Sequence, residues 1–368
     1  MTPAERLMRV FTKHGITEII HESELPTIDR PVIVVRADAV IDAPLVPLIA
    51  AEQDLLLIGE DPDRETPIAV HVAAARAATA AEVLTSTSHS DSTTLKFNAR
   101  RPVQLGATYW KALRKREVPY ALIVTPENKR DVEWRTFMGT YKGATDLVTK
   151  HVWPLPAFFV TRVLAGTAIT PNIVTAVSAV LVIVALMLFL EAQWTLGLVA
   201  AWLMTFLDTV DGKLARVTRT SSKWGNIFDH GIDLIHPPFW YAAWGFGLAA
   251  ANRPLDETTF TWVMTALVAG YIAQRLMEGI AIKFFGLEIH IWRRVDTLFR
   301  QITARRNPNL LILTVSAILG RPDLGLIMVA WWTIICLMIH GFQLIQAAIS
   351  KRRHGHLNSW MSQPLESQ

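Results

Sequence analysis

From residue 155 to residue 350 the chain is dominated by Leu, Ile, Val, Ala, Phe and Trp, interrupted by short turns such as EAQW, ANRPLDE and GRPD. Apolar runs of this length restrict the possible folds severely. A helix needs about 20 apolar residues to cross a bilayer, and only a helix or closed barrel pairs all its backbone groups there. Six such spans can be drawn, roughly 173–191, 195–217, 225–250, 258–283, 304–320 and 323–349, the fifth with the shortest purely apolar part. The expectation is a membrane all-α, six-helix transmembrane domain over residues 172–350. The overall figures, 51% apolar and 18% charged residues, conceal a sharp division, because residues 1 to about 150 have ordinary soluble composition.

The basic residues give the orientation. The turns on one side hold Arg253 and Arg321, whereas the other side holds Lys213, Arg216, Arg219, Lys223, Arg293, Arg294, Arg300, Arg305, Arg306 and the run KRRH from 351. The positive-inside rule puts that richer side, with both termini, in the cytoplasm. The N-terminal stretch MTPAERLMRVFTKHG has no apolar core of signal-peptide length, so the first half is expected to stay cytoplasmic and the spans to lie in the cytoplasmic membrane. The single cysteine, Cys336, permits no intrachain disulfide. A net charge of +4 is modest, and no nucleic-acid partner is expected.

Residues 1–140 read as a small α/β domain. AERLMRVFTKHGI, APLVPLIAAE and AVHVAAARAATAAEVL have helical character, while TEIIHE, PVIVVRA, DLLLIGE and YALIVTP read as strands. Alternating elements predict a layered domain with a largely parallel sheet. TSTSHSDSTT, 85 to 94, reads as a polar loop. Neither a G-x-G-x-x-G nor a G-x-x-x-x-G-K-[ST] sequence occurs here, which argues against nucleotide activation by this half. Residues 141–171 mix bulky apolar side chains with Lys142, Lys150, His151 and Arg162, and Pro154 and Pro156 break the run. The pattern suits an amphipathic juxtamembrane linker, with an ordinary packed linker helix as the alternative. Residues 351–368 form a basic cytoplasmic tail.

The chemistry concentrates in DTVDGKLARVTRTSSKWGNIFDHGID, residues 208 to 233. Asp208 and Asp211 are three apart and Asp229 and Asp233 four apart, so each pair shares a helix face. The pairs end one span and begin the next, which aims four carboxylates at one another near the cytoplasmic boundary. Divalent cations relieve that repulsion, and hard oxygen ligands select Mg²⁺, Mn²⁺ or Ca²⁺; four carboxylates could hold two ions. Gly212, Ala215 and Gly225 leave space for a ligand to approach backbone, and Arg216 offers a planar fork for phosphate oxygens. A lone aspartate pair at a helix end is more often a solvated cap; four with these glycines point to a diphosphate substrate.

The pattern D-x-x-D-G-x-x-A-R, eight residues, G-x-x-x-D-x-x-x-D resembles the signature of the CDP-alcohol phosphotransferase family, with Asp208, Asp211, Gly212, Ala215, Arg216, Gly225, Asp229 and Asp233 at its fixed positions. The resemblance covers roughly residues 155–350, including TPN at 170–172. It implies a six-helix membrane enzyme, usually a homodimer, that displaces CMP from a CDP-alcohol and joins the phospho-alcohol to an acceptor hydroxyl. By the same resemblance Asp208, Asp211 and Asp229 hold the metal, Mg²⁺ or Mn²⁺, as two ions. Asp233 completes that site and serves as the general base. Asp208, Gly212, Ala215, Gly225 and Asn172 line the cytidine diphosphate pocket, and Arg216 contacts the phosphates.

Residues 9–50, with KHGITEII and VIVVRADAVID, and the joint YKGATDLVTK are faintly similar to the cytidylyltransferase half of bifunctional inositol-phosphate enzymes of this kind. The missing glycine-rich opening implies a degenerate, catalytically silent nucleotidyltransferase-like domain. For the donor, CDP-diacylglycerol is favoured; a CDP-inositol-type polyol donor is the alternative. The acceptor is a lipid or polyol phosphate with a free hydroxyl, and membrane lipids are further partners. Arg275, Lys283, Arg294 and Arg305 are candidate acceptor-binding cations, with Arg293 and Arg306 nearby, although Arg275 has Glu278 one turn away as an ordinary partner. RRNPNL, 305–310, is either a binding element or the basic start of the fifth helix. His236 and His340 read as packing residues, and Pro237 and Pro238 as a bend in the third span. A divalent-cation transporter or a non-catalytic membrane scaffold is the contrasting class, but a transporter would place its carboxylates mid-span.

Overall fold

A computed structural model describes residues 1–61, 65–85, 97–106, 109–220 and 223–363, apart from the side chains of Pro26, Lys223 and Asn226. The chain divides into two compact units, Met1–Tyr141 and Lys142–Gln363. The serine- and threonine-rich loop read at 85–94 lies, beyond Thr85, outside the described residues.

The first unit opens with α1 (Pro3–Lys13), started by a capping box in which Thr2 and Glu5 satisfy each other's backbone N–H. Its apolar face, Leu7, Val10 and Phe11, is buried. Then follow β1 (Val32–Val35), β2 (Ala39–Ile41), α2 (Leu45–Ala51), β3 (Leu55–Ile58), β4 (Pro67–Val72), α3 (Ala77–Thr85), β5 (Asn98–Arg100), β6 (Tyr109–Trp110), β7 (Lys115–Arg116), β8 (Ala121–Ile123) and α4 (Lys129–Met138). The main sheet has the order β1-β4-β3-β5, and β2-β8 and β6-β7 form two-stranded pairs. Alternate residues of β3 serve two cores. Leu55 and Leu57 pack with Ile41, Leu45 and Ile49, whereas Leu56 and Ile58 pack with Val70, Ala80 and Leu84.

Three expectations need correction here. The sheet is mainly antiparallel: β4 runs antiparallel to both β1 and β3, and only β3 and β5 are parallel. The connection from β3 to β4 is too short for the crossover that a parallel pair needs, so the chain turns straight back. The helix expected from Ala69 starts at Ala77, because Pro67–Val72 is a buried strand. Its Ile and Val residues suit a sheet covered on both faces. TEIIHE is not a strand; a 3₁₀ turn, Glu22–Thr27, begins within it.

The second unit is helical. α5 (Leu147–His151) and α6 (Pro154–Leu164) occupy the proposed linker. They are followed by α7 (Pro171–Leu190), α8 (Trp194–Val217), α9 (Lys223–Ala250), α10 (Glu257–Ile280), α11 (Arg294–Phe299), α12 (Arg306–Ile318) and α13 (Pro322–His354). Thr170 caps α7 by accepting from the Ile173 N–H, and Pro171 fills the first position, where its missing donor costs nothing. α9 continues helically through Pro237 and Pro238. On α6, Leu155, Phe159 and Val163 are exposed at intervals of four and form one apolar stripe.

The six long apolar segments are all helical, but their lengths differ in meaning. Among the described residues, α7 and α13 are long and apolar enough to cross a membrane by length and composition. α12 has 13 residues, about 20 Å at 1.5 Å per residue, against a hydrocarbon core of about 30 Å.

The bundle packs tightly around aromatic anchors. Trp244 is fully buried, and its indole N–H donates to the Pro322 carbonyl at 3.0 Å, while Trp240 donates to the Val182 carbonyl at 2.9 Å. Gly247 makes a close approach to backbone: a Cβ there would stand 1.9 Å from the Phe189 carbonyl oxygen, so only glycine lets α9 reach the end of α7. Small residues play this part wherever helices pack backbone to backbone.

Candidate active site

The two aspartate pairs lie in the second half of α8 and the first turns of α9. Helical spacing turns each pair inward, and the antiparallel sequence of the helices brings the pairs together. Carboxylate oxygens of Asp208, Asp229 and Asp233 all lie within 4.8 Å of one another. That separation suits a shared hard cation, whose oxygen ligands stand at about 2.0–2.6 Å.

Asp211 takes a different position. It is buried, and one carboxylate oxygen accepts from the Thr175 hydroxyl of α7 at 2.5 Å. Its other oxygen, Oδ1, is buried and receives no hydrogen bond among the described residues. Around it access widens: the side chain of Asp208 is 17% exposed, that of Asp229 28% and that of Asp233 41%. The site therefore has a closed end at Asp211 and an open end at Asp233. Tyr271 of α10 fixes the open end by donating to the Leu234 carbonyl at 2.9 Å.

The first residue of α12 completes the group. Arg306 donates through Nη2 to Asp208 Oδ2 at 2.5 Å and through Nη1 to Asp233 Oδ1. A single guanidinium thus bridges the two aspartate pairs. Hard oxygen donors, one orphaned buried carboxylate oxygen and a cation already held between two of the carboxylates together make a set that fits a divalent metal ion.

Residues 168–303 match the CDP-alcohol phosphatidyltransferase family. The match lies within the helical unit, and all eight fixed positions of the aspartate motif lie inside the matched stretch. Over 111 residues, 30% of the chain, it is 32% identical to archaetidylinositol phosphate synthase of Pyrococcus horikoshii. That similarity spans 56% of the archaeal protein, so the chain matches little more than half of this relative. A similarity of the first unit to cytidylyltransferases is not shown by these matches.

The remaining motif residues differ in their surroundings. Arg216 folds back along α8, and a Cβ on Gly212 would stand 3.0 Å from its Nη2, so the glycine leaves room for the guanidinium. Ala215 is half-buried, Gly225 is half-buried in the first turn of α9, and Asn172 is exposed in the first turn of α7.

Of the four acceptor candidates, the structure brings two together. Glu278 Oε1 accepts from Arg275 at 2.8 Å and also from Arg305. His290 Nε2 stands 3.1 Å from the same oxygen. The His340 ring packs against His290 at 5.1 Å between centroids, and both of its nitrogens are buried without a hydrogen bond among the described residues. Lys283 and Arg294 are exposed and are not part of this group.

RRNPN is more than the basic start of a helix. Arg305 reaches Glu278 and Arg306 reaches Asp208 and Asp233. Asn307 donates to Asp146 at 2.9 Å and to Thr149 at 3.2 Å, and Asn309 donates to the Tyr241 hydroxyl at 2.7 Å. The density of polar residues before an apolar helix was the available signal. Thr175 and Tyr271 offered none, because nothing local marks the first as a partner of Asp211 or the second as a partner of the backbone at Leu234.

Proposed function

We propose that the protein is an integral membrane CDP-alcohol phosphotransferase of phospholipid or polar-lipid synthesis. It transfers a phospho-alcohol from a CDP-alcohol, with CDP-diacylglycerol the favoured donor, to an acceptor hydroxyl and releases CMP. The observation that carries this reading is the convergence of Asp208, Asp229 and Asp233 from both halves of the motif, inside a stretch that matches the family.

The acceptor oxygen attacks the phosphorus that bears the donor alcohol. The bond from that phosphorus to the bridging oxygen breaks, and CMP leaves with that oxygen. Asp233, the most open of the aspartates, takes the acceptor's proton. Asp208, Asp211, Asp229 and Asp233 would hold Mg²⁺ or Mn²⁺, as two ions. Bound there, the metal supplies neutralisation of phosphate charge and stabilisation of the departing oxygen. Gly212, Ala215, Gly225 and Asn172 line the nucleotide pocket, and Arg216 meets the phosphates. Arg275 and Arg305 outnumber Glu278 as charges, which supports a phosphorylated polyol as acceptor; the archaeal relative's name points the same way.

A bilayer setting is supported by α7 and α13, and by the outward apolar side chains of α7, among them Val180, Ile183 and Met187. In this reading the six helices α7–α10, α12 and α13 form the membrane domain, a homodimer with the aspartates on the cytoplasmic side. Met1–Tyr141 is a non-catalytic support.

The test is CMP release by the purified full chain with Mn²⁺ or Mg²⁺. Donors (CDP-diacylglycerol, CDP-inositol) are screened against acceptors (polyol phosphates, free polyols and lipids). Asp233→Asn should lower turnover by about 10²–10⁴, the usual worth of a positioned general base. Full turnover in that variant would remove Asp233 from its role. No CMP from any pairing would sink the enzymatic reading.

A further inference from the structure

We propose that Arg306 is a cation built into the aspartate cluster, and that it must swing out of that cluster before a divalent ion can enter. Guanidinium and metal then compete for the same carboxylates. This rests on the reading above that those carboxylates take a metal ion.

The geometry carries the idea in three steps. Arg306 uses Nη1 and Nη2, one for each aspartate pair, and so lies between Asp208 and Asp233. Asp229 brings a third carboxylate within 4.8 Å of both. The space a shared cation would need is therefore the space the guanidinium fills. Its side chain is only 15% exposed, so water does little to replace it as a counter-charge.

Two divalent ions would balance four carboxylates without Arg306, whereas ions and guanidinium together would crowd like charges into one cluster.

The fold lets the side chain leave without moving the helix. The neighbouring residues tie down the head of α12: Arg305 to Glu278, Asn307 to Asp146 and Thr149, and Asn309 to Tyr241. The flexible stem of Arg306 can then change rotamer about a fixed backbone. Arg306 also lies beyond residue 303, where the family match ends. A mere structural clamp would make the same contacts but would respond differently to removal.

The experiment measures Mn²⁺ affinity of the full chain by electron paramagnetic resonance of the free ion. It compares wild type, Arg306→Gln, Arg306→Lys and Asp229→Asn. If the guanidinium occupies the site at least nine-tenths of the time, Arg306→Gln should bind Mn²⁺ about tenfold more tightly or better, since that occupancy no longer discounts the affinity. Arg306→Lys keeps the charge but cannot fork across two carboxylates, and should tighten binding by a smaller factor. Unchanged or weaker affinity in Arg306→Gln would overturn the proposal. Should that variant fail to fold, an affinity in Arg306→Lys no tighter than wild type would overturn it equally. Asp229→Asn separates the two layers of the argument. If wild-type Mn²⁺ binding survives in it, the metal reading of the carboxylates fails and takes the competition with it. If binding is lost there and Arg306→Gln does not tighten, only the competition fails.

Discussion

Arg305 and Arg306 are neighbours in the chain and enter opposite kinds of cluster. Around Arg305, two guanidiniums and a histidine share the single carboxylate of Glu278. Around Arg306, one guanidinium serves Asp208 and Asp233, with Asp229 in reach. The first cluster lacks negative charge and the second lacks positive charge. A phosphoryl-transfer site needs both deficits, one to receive an anionic group and one to receive metal ions. The head of α12 joins them.

The largest test of that contrast is Glu278→Gln. It leaves Arg275 and Arg305 without their shared carboxylate, and breaking a buried ion pair from one side costs about 3–5 kcal/mol. Denaturation of the detergent-solubilised chain should register that loss, and inorganic phosphate should restore part of it. Wild-type stability without phosphate would mean that the basic cluster has no real deficit. On the acidic side, Thr175→Val removes the hydroxyl that Asp211 accepts. Hydrogen bonds to charged groups contribute about 1.5–3 kcal/mol, so a smaller but measurable loss of stability is expected in the same assay. Arg321→Ala supplies the lower limit. Arg321 pairs with Asp323 at the surface, its side chain 47% exposed, and the melting temperature should not change. A clear drop there would show that exposed pairs matter as much as the two clusters, and the contrast would lose its basis.

The two units also differ in how much of them could be read from the chain. In the helical unit, the apolar runs match the helices closely, because a 20-residue apolar segment has one local solution. In the first unit, Leu55–Ile58 and Leu45–Ala51 are legible, but Ala69–Val72, the larger part of strand Pro67–Val72, reads as the start of a helix. Alanine-rich residues beyond it favour a helix, and burial in the sheet outweighed that preference. The direction of the sheet was likewise set by the short connection between β3 and β4, not by strand content. At the site, the pairing of Asp208 with Asp211 and of Asp229 with Asp233 followed from helical spacing. The division between Asp211, closed in against Thr175, and the three converging carboxylates did not.

By itself the sequence determined the apolar segments, the shared faces of the two aspartate pairs and the motif inside the stretch that matches the CDP-alcohol phosphatidyltransferase family. These depend on spacing within one helix, where a residue's neighbours are three or four positions away. The tertiary structure decided which carboxylates meet and what neutralises them. Asp208 and Arg306 are 98 residues apart, and Arg305 and Glu278 are 27 apart. Contacts at such separations depend on how helices pack, and no local pattern encodes them. The choice between Arg305 and Arg306, one turned to a glutamate and the other to two aspartates, belongs to that packing.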